Sequence, residues 1–327
     1  MSRDLVVALD VGGTAIKSAL VAADGSVRYA RRQPTRADRG PDAVIETIIE
    51  VAGGLLDAAV RADGSGPRAI GVVVPGVVDE PAGVAVWSAN VGFRDVPLRD
   101  IVSDRLGLPA VLGHDVRAGG LAEARLGAGR GTRHMLFLAI GTGIAAAYIV
   151  DGTAFPGAHG AAGEIGHVIV RPGGAVCGCG ARGCLEAVAS AAAVARRYAA
   201  AAAPANIAPA GAATAGTATA AEVAALAAGG DPVAADVWRE TIDALADGLL
   251  TGVALFDPEI VVIGGGLAQA GEQLLMPLED AVRDRLTFHR EPRLVRAALG
   301  DEAGCLGAAL LALDLGPGRH AGQGGER

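Results

Sequence analysis

The stretch Leu5-Val-Val-Ala-Leu-Asp-Val-Gly-Gly-Thr14 decides the fold of the first part of this chain. Its opening apolar run predicts a buried strand, and the glycine pair predicts a loop at the end of that strand. A second apolar run covers residues 15 to 21 and ends at Asp24-Gly25, too soon for a helix and typical of a hairpin. The stretch therefore predicts strand, glycine loop and returning strand, and not the strand-to-helix opening of a Rossmann fold.

The same pattern returns in the middle of the chain. Leu136-Phe-Leu-Ala-Ile-Gly-Thr-Gly143 is followed by an apolar run over residues 144 to 150 and by Asp151-Gly152. Two such units favour two related lobes, although two apolar runs around glycine also arise by chance. The length of 327 residues agrees, because a single hydrophobic core usually stops growing at about 250–300 residues.

The remaining elements are predicted from apolar periodicity and from turn and cap residues. Helices are predicted near residues 41–61, 97–106, 115–126 (with Asp115 as the N-cap), from 185 onward, 220–228, 232–256 and 302–315, and strands at 69–74, 110–112 and 260–263. A weakly specified connection is predicted around residues 203–217, and a disordered tail from residue 316.

Composition excludes some classes of function. The net charge is −8 and the isoelectric point is about 5.3, which argues against a nucleic-acid-binding surface of clustered basic residues. The opening apolar run is too short for a secretory signal, and no stretch reaches the ~20 strongly apolar residues of a membrane span. We therefore expect a cytoplasmic protein with small-molecule ligands, with no nucleic acid and no membrane among its partners.

Three glycine loops stand at strand ends, where backbone N–H groups can approach phosphate oxygens without a Cβ in the way. The first also carries Lys17, the only lysine of the chain, and Asp10, which is suited to hold a magnesium ion. Each loop alone could be a simple turn, but three together favour a nucleotide. The predicted ATP-contacting residues are Asp10, Gly12, Gly13, Thr14 and Lys17 of the first loop, Gly141, Thr142 and Gly143 of the second, and Gly264, Gly265 and Gly266, which would lie against the adenosine.

A cysteine cluster gives the sharper signal. Cys177, Cys179 and Cys184 lie on a glycine-rich segment, and His167 precedes them by ten residues. Three thiolates and one imidazole are a common ligand set for structural zinc. The alternatives are a disulfide or ordinary free thiols. Cys305 stands apart and is expected to be a small core residue.

Three carboxylates complete the candidate site. Glu164 and Glu186 lie on either side of the zinc ligands in the sequence, so a zinc ion would bring them toward one region, where carboxylates can accept hydrogen bonds from sugar hydroxyls. Asp115 is the candidate general base for phosphoryl transfer to an alcohol. On its position alone, Asp115 could equally be only a helix cap.

Together these motifs resemble the ROK family of sugar kinases and repressors. The resemblance rests on Asp-x-Gly-Gly-Thr-x-x-Lys at residues 10–17, Gly-Thr-Gly at 141–143, His-Gly-x-x-Gly-Glu-Ile-Gly-His at 159–167 and Cys-x-Cys-Gly-x-x-Gly-Cys-x-Glu at 177–186. It implies an α/β, two-lobed actin-like (ribonuclease H-like) sugar kinase fold with a structural zinc loop. It also implies ATP, Mg²⁺ and structural Zn²⁺ as cofactors, and a homodimer or homotetramer.

The resemblance also implies roles for single residues. Asp115 would be the catalytic base, and His167 would hold zinc with the three cysteines. The residues expected to contact the sugar are Gly76, Asn90, His114, Asp115, Glu164, His167 and Glu186. The chain departs from the family pattern at His114, where Asn is common, and at Ile144-Ala-Ala-Ala147, where glycines are common.

The predicted domains are an N-terminal lobe over residues 1–113 with the first phosphate loop and a C-terminal lobe over 114–300 with the second loop, the zinc site and the adenosine site. A helix over 301–315 is expected to pack back on the N-terminal lobe, followed by the disordered tail, residues 316–327.

The predicted function is glucokinase activity, the ATP-dependent phosphorylation of glucose at its 6-hydroxyl in carbohydrate metabolism and glycolysis. The alternatives are an N-acetylmannosamine or N-acetylglucosamine kinase, or a sugar-binding protein without turnover, and polyphosphate is an alternative donor. A repressor would need a DNA-binding domain before Asp10, for which the nine preceding residues leave no room.

His114 supports one further expectation. An unperturbed imidazole titrates near pH 6.5, and a positive charge beside Asp115 would make that carboxylate a poorer proton acceptor. A decline of activity on the acid side of neutrality is therefore expected to depend on His114, with a buried and permanently neutral imidazole as the alternative.

Overall fold

The chain divides into two compact units. The computed structural model describes residues 5–63, 66–202 and 218–316. Unit 1 takes its described residues from 1–127, 152–162 and 301–327, and unit 2 takes them from 128–151 and 163–300. The predicted lobe boundary between residues 113 and 114 thus falls inside unit 1, because the helix that starts at Asp115 belongs to that unit.

Unit 1 is built on a five-stranded sheet in the order β3-β2-β1-β4-β8. The strands β1, β2 and β3 form an antiparallel meander, while β4 and β8 run parallel to β1. The strands of this sheet are β1 (Leu5–Val11), β2 (Ala15–Ala22), β3 (Val27–Pro34), β4 (Ile70–Val74) and β8 (Ala110–His114).

The central strand β1 is almost wholly buried, which explains its continuous apolar sequence. Two helices contact this strand, α1 (Pro41–Asp63) and α9 (Ala303–Asp314). Val7 and Leu9 of the strand belong to the same core as Val44 and Ile48 of α1. The C-terminal helix α9 also packs against α3 and β4. The helices of unit 1 are α1 (Pro41–Asp63), α2 (Leu98–Leu106), α3 (Asp115–Leu126) and α9 (Ala303–Asp314).

Unit 1 also contains short strands that the sequence analysis did not predict. A three-stranded antiparallel sheet has the order β5-β6-β7. Strands of three to five residues show too little alternation to be recognised from sequence. The short strands are β5 (Val77–Asp79), β6 (Val84–Ser88), β7 (Phe93–Val96) and the two-residue β11 (Thr153–Ala154).

Unit 2 repeats the arrangement with strands in the order β10-β9-β12-β13. The strands β9 and β10 form the predicted antiparallel hairpin, and β12 lies parallel to both β9 and β13. The strands of unit 2 are β9 (His134–Ile140), β10 (Ile144–Val150), β12 (Ile260–Gly264) and β13 (Arg293–Arg296). Its helices are α4 (Leu185–Ala189), α5 (Ala191–Ala202), α6 (Ala220–Ala228), α7 (Pro232–Phe256) and α8 (Glu272–Arg283).

Both strand, glycine-loop, strand predictions are confirmed, and most helices lie within two residues of their predicted bounds. Two helices differ. The alanine-rich segment after residue 185 breaks at Ser190, whose hydroxyl accepts the N–H of Ala193 at 3.1 Å and so begins a separate helix. Helix α8 was not predicted.

The predicted connection at 203–217 lies outside the described residues, and so does the predicted tail from residue 317 onward. Among the helices that the structure describes, none has the length and apolar character needed to cross a membrane.

Candidate active site

Asp10 and Lys17 face each other across the first hairpin, because β1 and β2 pair these two positions. The Lys17 Nζ lies 3.7 Å from Asp10 Oδ2 and donates to the Asp301 carbonyl at 2.9 Å. Burial raises the pKa of the Asp10 carboxyl to about 6; the negative charge of Asp115 also raises it, and Lys17 opposes the rise. Asp10 therefore has a partly buried carboxylate whose negative charge its lysine neighbour Lys17 does not fully compensate.

The glycine loop between β1 and β2 is held from the side by Thr35. The Thr35 hydroxyl donates to the Gly12 carbonyl, and its N–H donates to the Thr14 carbonyl at 3.0 Å. A Cβ at Gly13 would lie 3.1 Å from the Asn90 Cβ, so Asn90 stands beside the loop. Thr35 is fully buried and was not identified from the sequence.

Asp115 is the first residue of α3, and its N-cap is His114, so the predicted cap is displaced by one residue. The Asp115 Oδ1 accepts the N–H of Val116 at 2.7 Å. Burial raises the pKa of the Asp115 carboxyl, while the Val116 N–H and the charge of Arg117 act in the opposite direction. The carboxylate is thus fixed at the start of a helix, at the carboxyl end of strand β8.

His114 does not behave as the sequence analysis expected. Its side chain is buried, its Nδ1 accepts the N–H of Arg117 at 3.4 Å, and its Nε2 lies 3.5 Å from Asp115 Oδ1. Burial and, to a smaller extent, the charge of Arg117 lower the pKa of His114 to about 4, while the charge of Glu80 acts in the opposite direction. The expected protonation near pH 6.5 is therefore wrong, and the imidazole is neutral at physiological pH.

An ion pair between the buried Arg117 and the partly exposed Glu80 supports the turn that carries His114 and Asp115. Glu80 Oε1 accepts the His114 N–H at 3.1 Å and the Arg117 Nε–H at 3.0 Å. The Arg117 side chain is only 3% exposed, and its Nη1 donates to the Gly160 carbonyl at 2.8 Å. Neither Glu80 nor Arg117 was singled out from the sequence, because no local pattern distinguishes them from surface charges.

Within unit 2, the four predicted zinc ligands come together. The donor atoms of His167, Cys177, Cys179 and Cys184 all lie within 4.8 Å of one another. The His167 Nδ1 is 3.6 Å from Cys177 Sγ, and Cys179 Sγ is 3.7 Å from Cys184 Sγ. All four cysteines of the chain fall in the part that the structure describes, and all four are free thiols.

These separations fit a zinc ion. A tetrahedral site with Zn–S of about 2.3 Å and Zn–N of about 2.0–2.1 Å places sulfurs about 3.8 Å apart and nitrogen about 3.6 Å from sulfur. Burial, together with the neighbouring thiols Cys179 and Cys177, raises the pKa of Cys184 to about 12, so a bound cation would favour the thiolate form of Cys184. The donor set and the spacing both match the Cys₃His type. Cys305 is buried in unit 1, as expected.

The two glutamates flank this cluster. Glu164 Oε2 lies 3.7 Å from His167 Nε2, the ring nitrogen that does not face the cysteines. Glu186 Oε1 lies 3.9 Å from Cys177 Sγ, and Glu186 Oε2 accepts the Ile144 N–H at 3.0 Å. Each glutamate thus has a carboxylate oxygen within 4 Å of a predicted zinc ligand.

The third glycine loop serves packing as well as any ligand. A Cβ at Gly264 would lie 2.8 Å from the Phe137 ring, and Gly265 has φ +80° with its Cα against the backbone of Ile140. Only Gly266 of these three has open space beside its Cα. In unit 1, Gly76 likewise lies against the backbone of Trp87.

The predicted site residues are therefore divided between the units. Unit 1 holds Asp10, Gly12, Gly13, Thr14, Lys17, Gly76, Asn90, His114 and Asp115. Unit 2 holds Gly141, Thr142, Gly143, Glu164, His167, Cys177, Cys179, Cys184, Glu186, Gly264, Gly265 and Gly266. Unit 1 offers interacting carboxylates beside a lysine and a glycine loop, and unit 2 offers a metal-binding cluster between two glutamates.

The chain thus combines two α/β units, each with a strand, glycine-loop, strand hairpin, and a Cys₃His cluster in unit 2. A model of the ROK family matches residues 6–315. The chain belongs to the ROK family.

Among curated relatives, the chain is 36% identical to a glucokinase of Thermotoga maritima over 94% of this chain and 97% of the relative. It is 33% identical to an N-acetylmannosamine kinase of Citrobacter koseri over 93% of this chain and 97% of the relative.

Solved structures agree with the family assignment. A ROK hexokinase from Thermus thermophilus matches with a TM-score of 0.79 and 36% identity over 94% of this chain and 97% of that chain. A ROK glucokinase from Streptomyces griseus, in complex with glucose and AMPPNP, matches with a TM-score of 0.74 and 29% identity over 94% of this chain and 99% of that chain.

Proposed function

We propose that this protein is a glucokinase, which transfers the terminal phosphoryl group of ATP to the 6-hydroxyl of glucose. The observation that carries the proposal is the placement in unit 1 of Asp10, 3.7 Å from the Lys17 Nζ beside the first glycine loop, and of Asp115 at the first position of α3. The charge of Asp115 contributes to the raised pKa of Asp10. Phosphoryl transfer needs one carboxylate near the metal–nucleotide and another at the acceptor hydroxyl. The glucokinase and hexokinase relatives favour glucose as the acceptor.

In the proposed reaction, Asp115 accepts the proton of the 6-hydroxyl. Because Asp115 Oδ1 is engaged by the Val116 N–H, we assign proton acceptance to Oδ2. The hydroxyl oxygen then forms its bond to the γ-phosphorus as the bond from that phosphorus to the bridging oxygen of ADP breaks. The raised pKa of Asp115 makes it a stronger base than an exposed aspartate.

Asp10 fits a magnesium ion, since its buried carboxylate has a raised pKa and an excess of negative charge around it. When bound, Mg²⁺ neutralises charge on the transferring phosphoryl group. Lys17 is held toward Asp10 and Asp301, and the first glycine loop presents backbone N–H groups to phosphate oxygens. We assign Gly141, Thr142 and Gly266 to the nucleotide as well.

We assign recognition of the sugar hydroxyls to Asn90, His114 and Gly76 of unit 1 and to Glu164, His167 and Glu186 of unit 2. Zinc has a structural role in this proposal: held by His167 and three cysteines, it fixes the segment between Glu164 and Glu186. We place the enzyme in the cytoplasm and expect a homodimer or homotetramer, which sedimentation velocity measures.

The test is glucose-dependent ADP release in a coupled assay, with mannose, N-acetylmannosamine and N-acetylglucosamine as competing acceptors and polyphosphate as a competing donor. We expect glucose with ATP to give the highest kcat/KM. Asp115→Asn should lower kcat by about 10²-fold or more while glucose binding stays near normal. Preference for an N-acetylhexosamine would identify the alternative kinase, and sugar binding without ADP release would identify a non-catalytic protein.

A further inference from the structure

The carboxylate of Glu186 occupies the space that a side chain at Gly143 would fill. A Cβ at Gly143 would lie 2.5 Å from Glu186 Oε2 and 3.3 Å from its Cδ. Non-bonded heavy atoms attract best at about 3.5–4.0 Å, so this carboxylate and a Cβ cannot share the space. The close approach of Glu186 to the second glycine loop therefore depends on the hydrogen atom at Gly143.

The contacts of Glu186 show what this approach achieves. Oε2 accepts the N–H of Ile144, the residue directly after Gly143, and Oε1 faces the zinc-ligand candidate Cys177. A carboxylate that accepts a backbone N–H on one oxygen has lost most of its rotational freedom. Glu186 is therefore held between the zinc cluster and the start of β10.

The backbone of Gly143 does not require glycine for its own conformation. Its φ is outside the positive range adopted by eighteen other described glycines of the chain. The other glycine of this loop, Gly141, also has a φ outside the positive range, and a Cβ at Gly141 would meet no atom within 4 Å. In the contacts that an added Cβ would make, the two glycines thus differ by the presence of Glu186 beside Gly143.

We propose that Gly143 is a positioning residue for Glu186 and acts on the sugar side of the reaction, not on the phosphate side. The inference rests on the proposed function, in which Glu186 binds sugar hydroxyls. A methyl group at position 143 would displace the end of the Glu186 side chain. The hydrogen bond from the Ile144 N–H to Glu186 would then break, and the sugar-binding carboxylate would move.

The experiment compares Gly143→Ala with Gly141→Ala by isothermal titration calorimetry and by steady-state kinetics. Gly143→Ala should raise the Kd and KM for glucose about 10-fold or more, the scale of one displaced charge-assisted hydrogen bond, and change the Kd for ATP less than about twofold. Gly141→Ala changes a residue assigned to the nucleotide, so it serves as the control for glucose binding alone. It should leave the Kd for glucose within about twofold, whatever its effect on the Kd for ATP and on kcat. Zinc content should stay equal in both variants.

A double-mutant cycle tests whether Gly143 acts through Glu186. In a Glu186→Ala background, Gly143→Ala should change the Kd for glucose less than about twofold, because the displaced group is already absent. The inference is overturned if Gly143→Ala raises the Kd for glucose in the Glu186→Ala background as much as it does in the wild type. It is also overturned if Gly143→Ala raises the Kd for ATP and leaves the Kd for glucose unchanged.

A measurement without substrate separates this inference from the proposed function. Amide hydrogen exchange at Ile144, followed by NMR, should accelerate in Gly143→Ala and in Glu186→Ala, but not in Gly141→Ala. Unchanged protection of Ile144 in Gly143→Ala would overturn the positioning role even in an active glucokinase. Lost protection in a protein that does not phosphorylate glucose would reject the proposed function and retain the link between Gly143 and Glu186.

Discussion

Asp10→Asn should make the protein more stable at neutral pH while it impairs phosphoryl transfer. The folded protein holds the Asp10 carboxyl at a pKa of about 6, against 3.8 for an unperturbed aspartate. Asn resembles the protonated acid in shape and charge, so the variant avoids the cost of ionising Asp10 in a buried place. Each pKa unit corresponds to about 1.4 kcal/mol, so the difference corresponds to about 3 kcal/mol at pH 7.5.

The sign of the pH dependence follows from the raised pKa. The folded protein binds this proton more tightly than the unfolded chain, so the destabilising contribution of Asp10 shrinks as the pH falls from above 6 toward 3.8. The advantage of Asp10→Asn should therefore shrink to about 1 kcal/mol at pH 4.5 and disappear below that. Added Mg²⁺ should stabilise the wild type more than the variant.

The assay is urea unfolding at pH 7.5 and pH 4.5, without added magnesium. The chain has two tryptophans, Trp87 in unit 1 and Trp238 in unit 2, so a Trp238→Phe background makes fluorescence report on unit 1 alone. Asp104→Asn, at an exposed position of α2, is the matched control and should change stability by less than about 0.5 kcal/mol. The reasoning is refuted if Asp10→Asn is less stable than the wild type at pH 7.5. It is also refuted if the difference in the free energy of unfolding between the two proteins is the same at both pH values.

Three further predictions follow from the two units. Purified protein should contain about one zinc per chain by elemental analysis. Cys184→Ser should lose both the metal and glucose binding, since a structural zinc contributes ~10 kcal/mol or more to its folded site. Active wild-type protein without zinc would contradict this prediction. Arg117→Met should move the acid limb of the pH profile of kcat/KM to higher pH, because the Arg117 charge lowers the pKa of Asp115. Arg117→Lys keeps the charge and should leave the acid limb in place. If the two variants give the same profile, Arg117 has only a packing role. His114→Asn should leave the acid limb unchanged, because the pKa of His114 is held at about 4, and a limb that moves toward lower pH would show that His114 titrates.

The hairpins and the zinc ligands could be predicted because their signals are local. In each hairpin, an apolar run, a glycine loop and a second apolar run follow one another, so strand propensity and turn chemistry suffice. Likewise Cys177, Cys179 and Cys184 fall within one short segment, where spacing alone indicates a common metal. The short strands β5 to β7 escaped prediction because each has too few residues to show a period.

The supporting residues could not be predicted, since they reach the site from distant parts of the chain. Glu80 meets Arg117 across 37 positions of sequence, and Lys17 meets Asp301 across 284. Asp301 lies two residues before α9, and the packing of that helix on β1 and β4 brings Asp301 to the first hairpin. Each of these contacts depends on how elements pack, and no local spacing encodes it.

The sequence by itself determined the chemistry available to this protein, which is a lysine and carboxylates near glycine loops, and a cluster of thiols with one imidazole. Tertiary structure alone decided the protonation state of those groups, because desolvation depends on the atoms that surround a group after folding. The same burial that raises the pKa of Asp10 and Asp115 lowers that of His114, which removes the pH sensitivity that the free imidazole would have had. It also decided that Gly143 faces the Glu186 carboxylate while Gly141 faces open space, although the sequence presents the two glycines as equivalent.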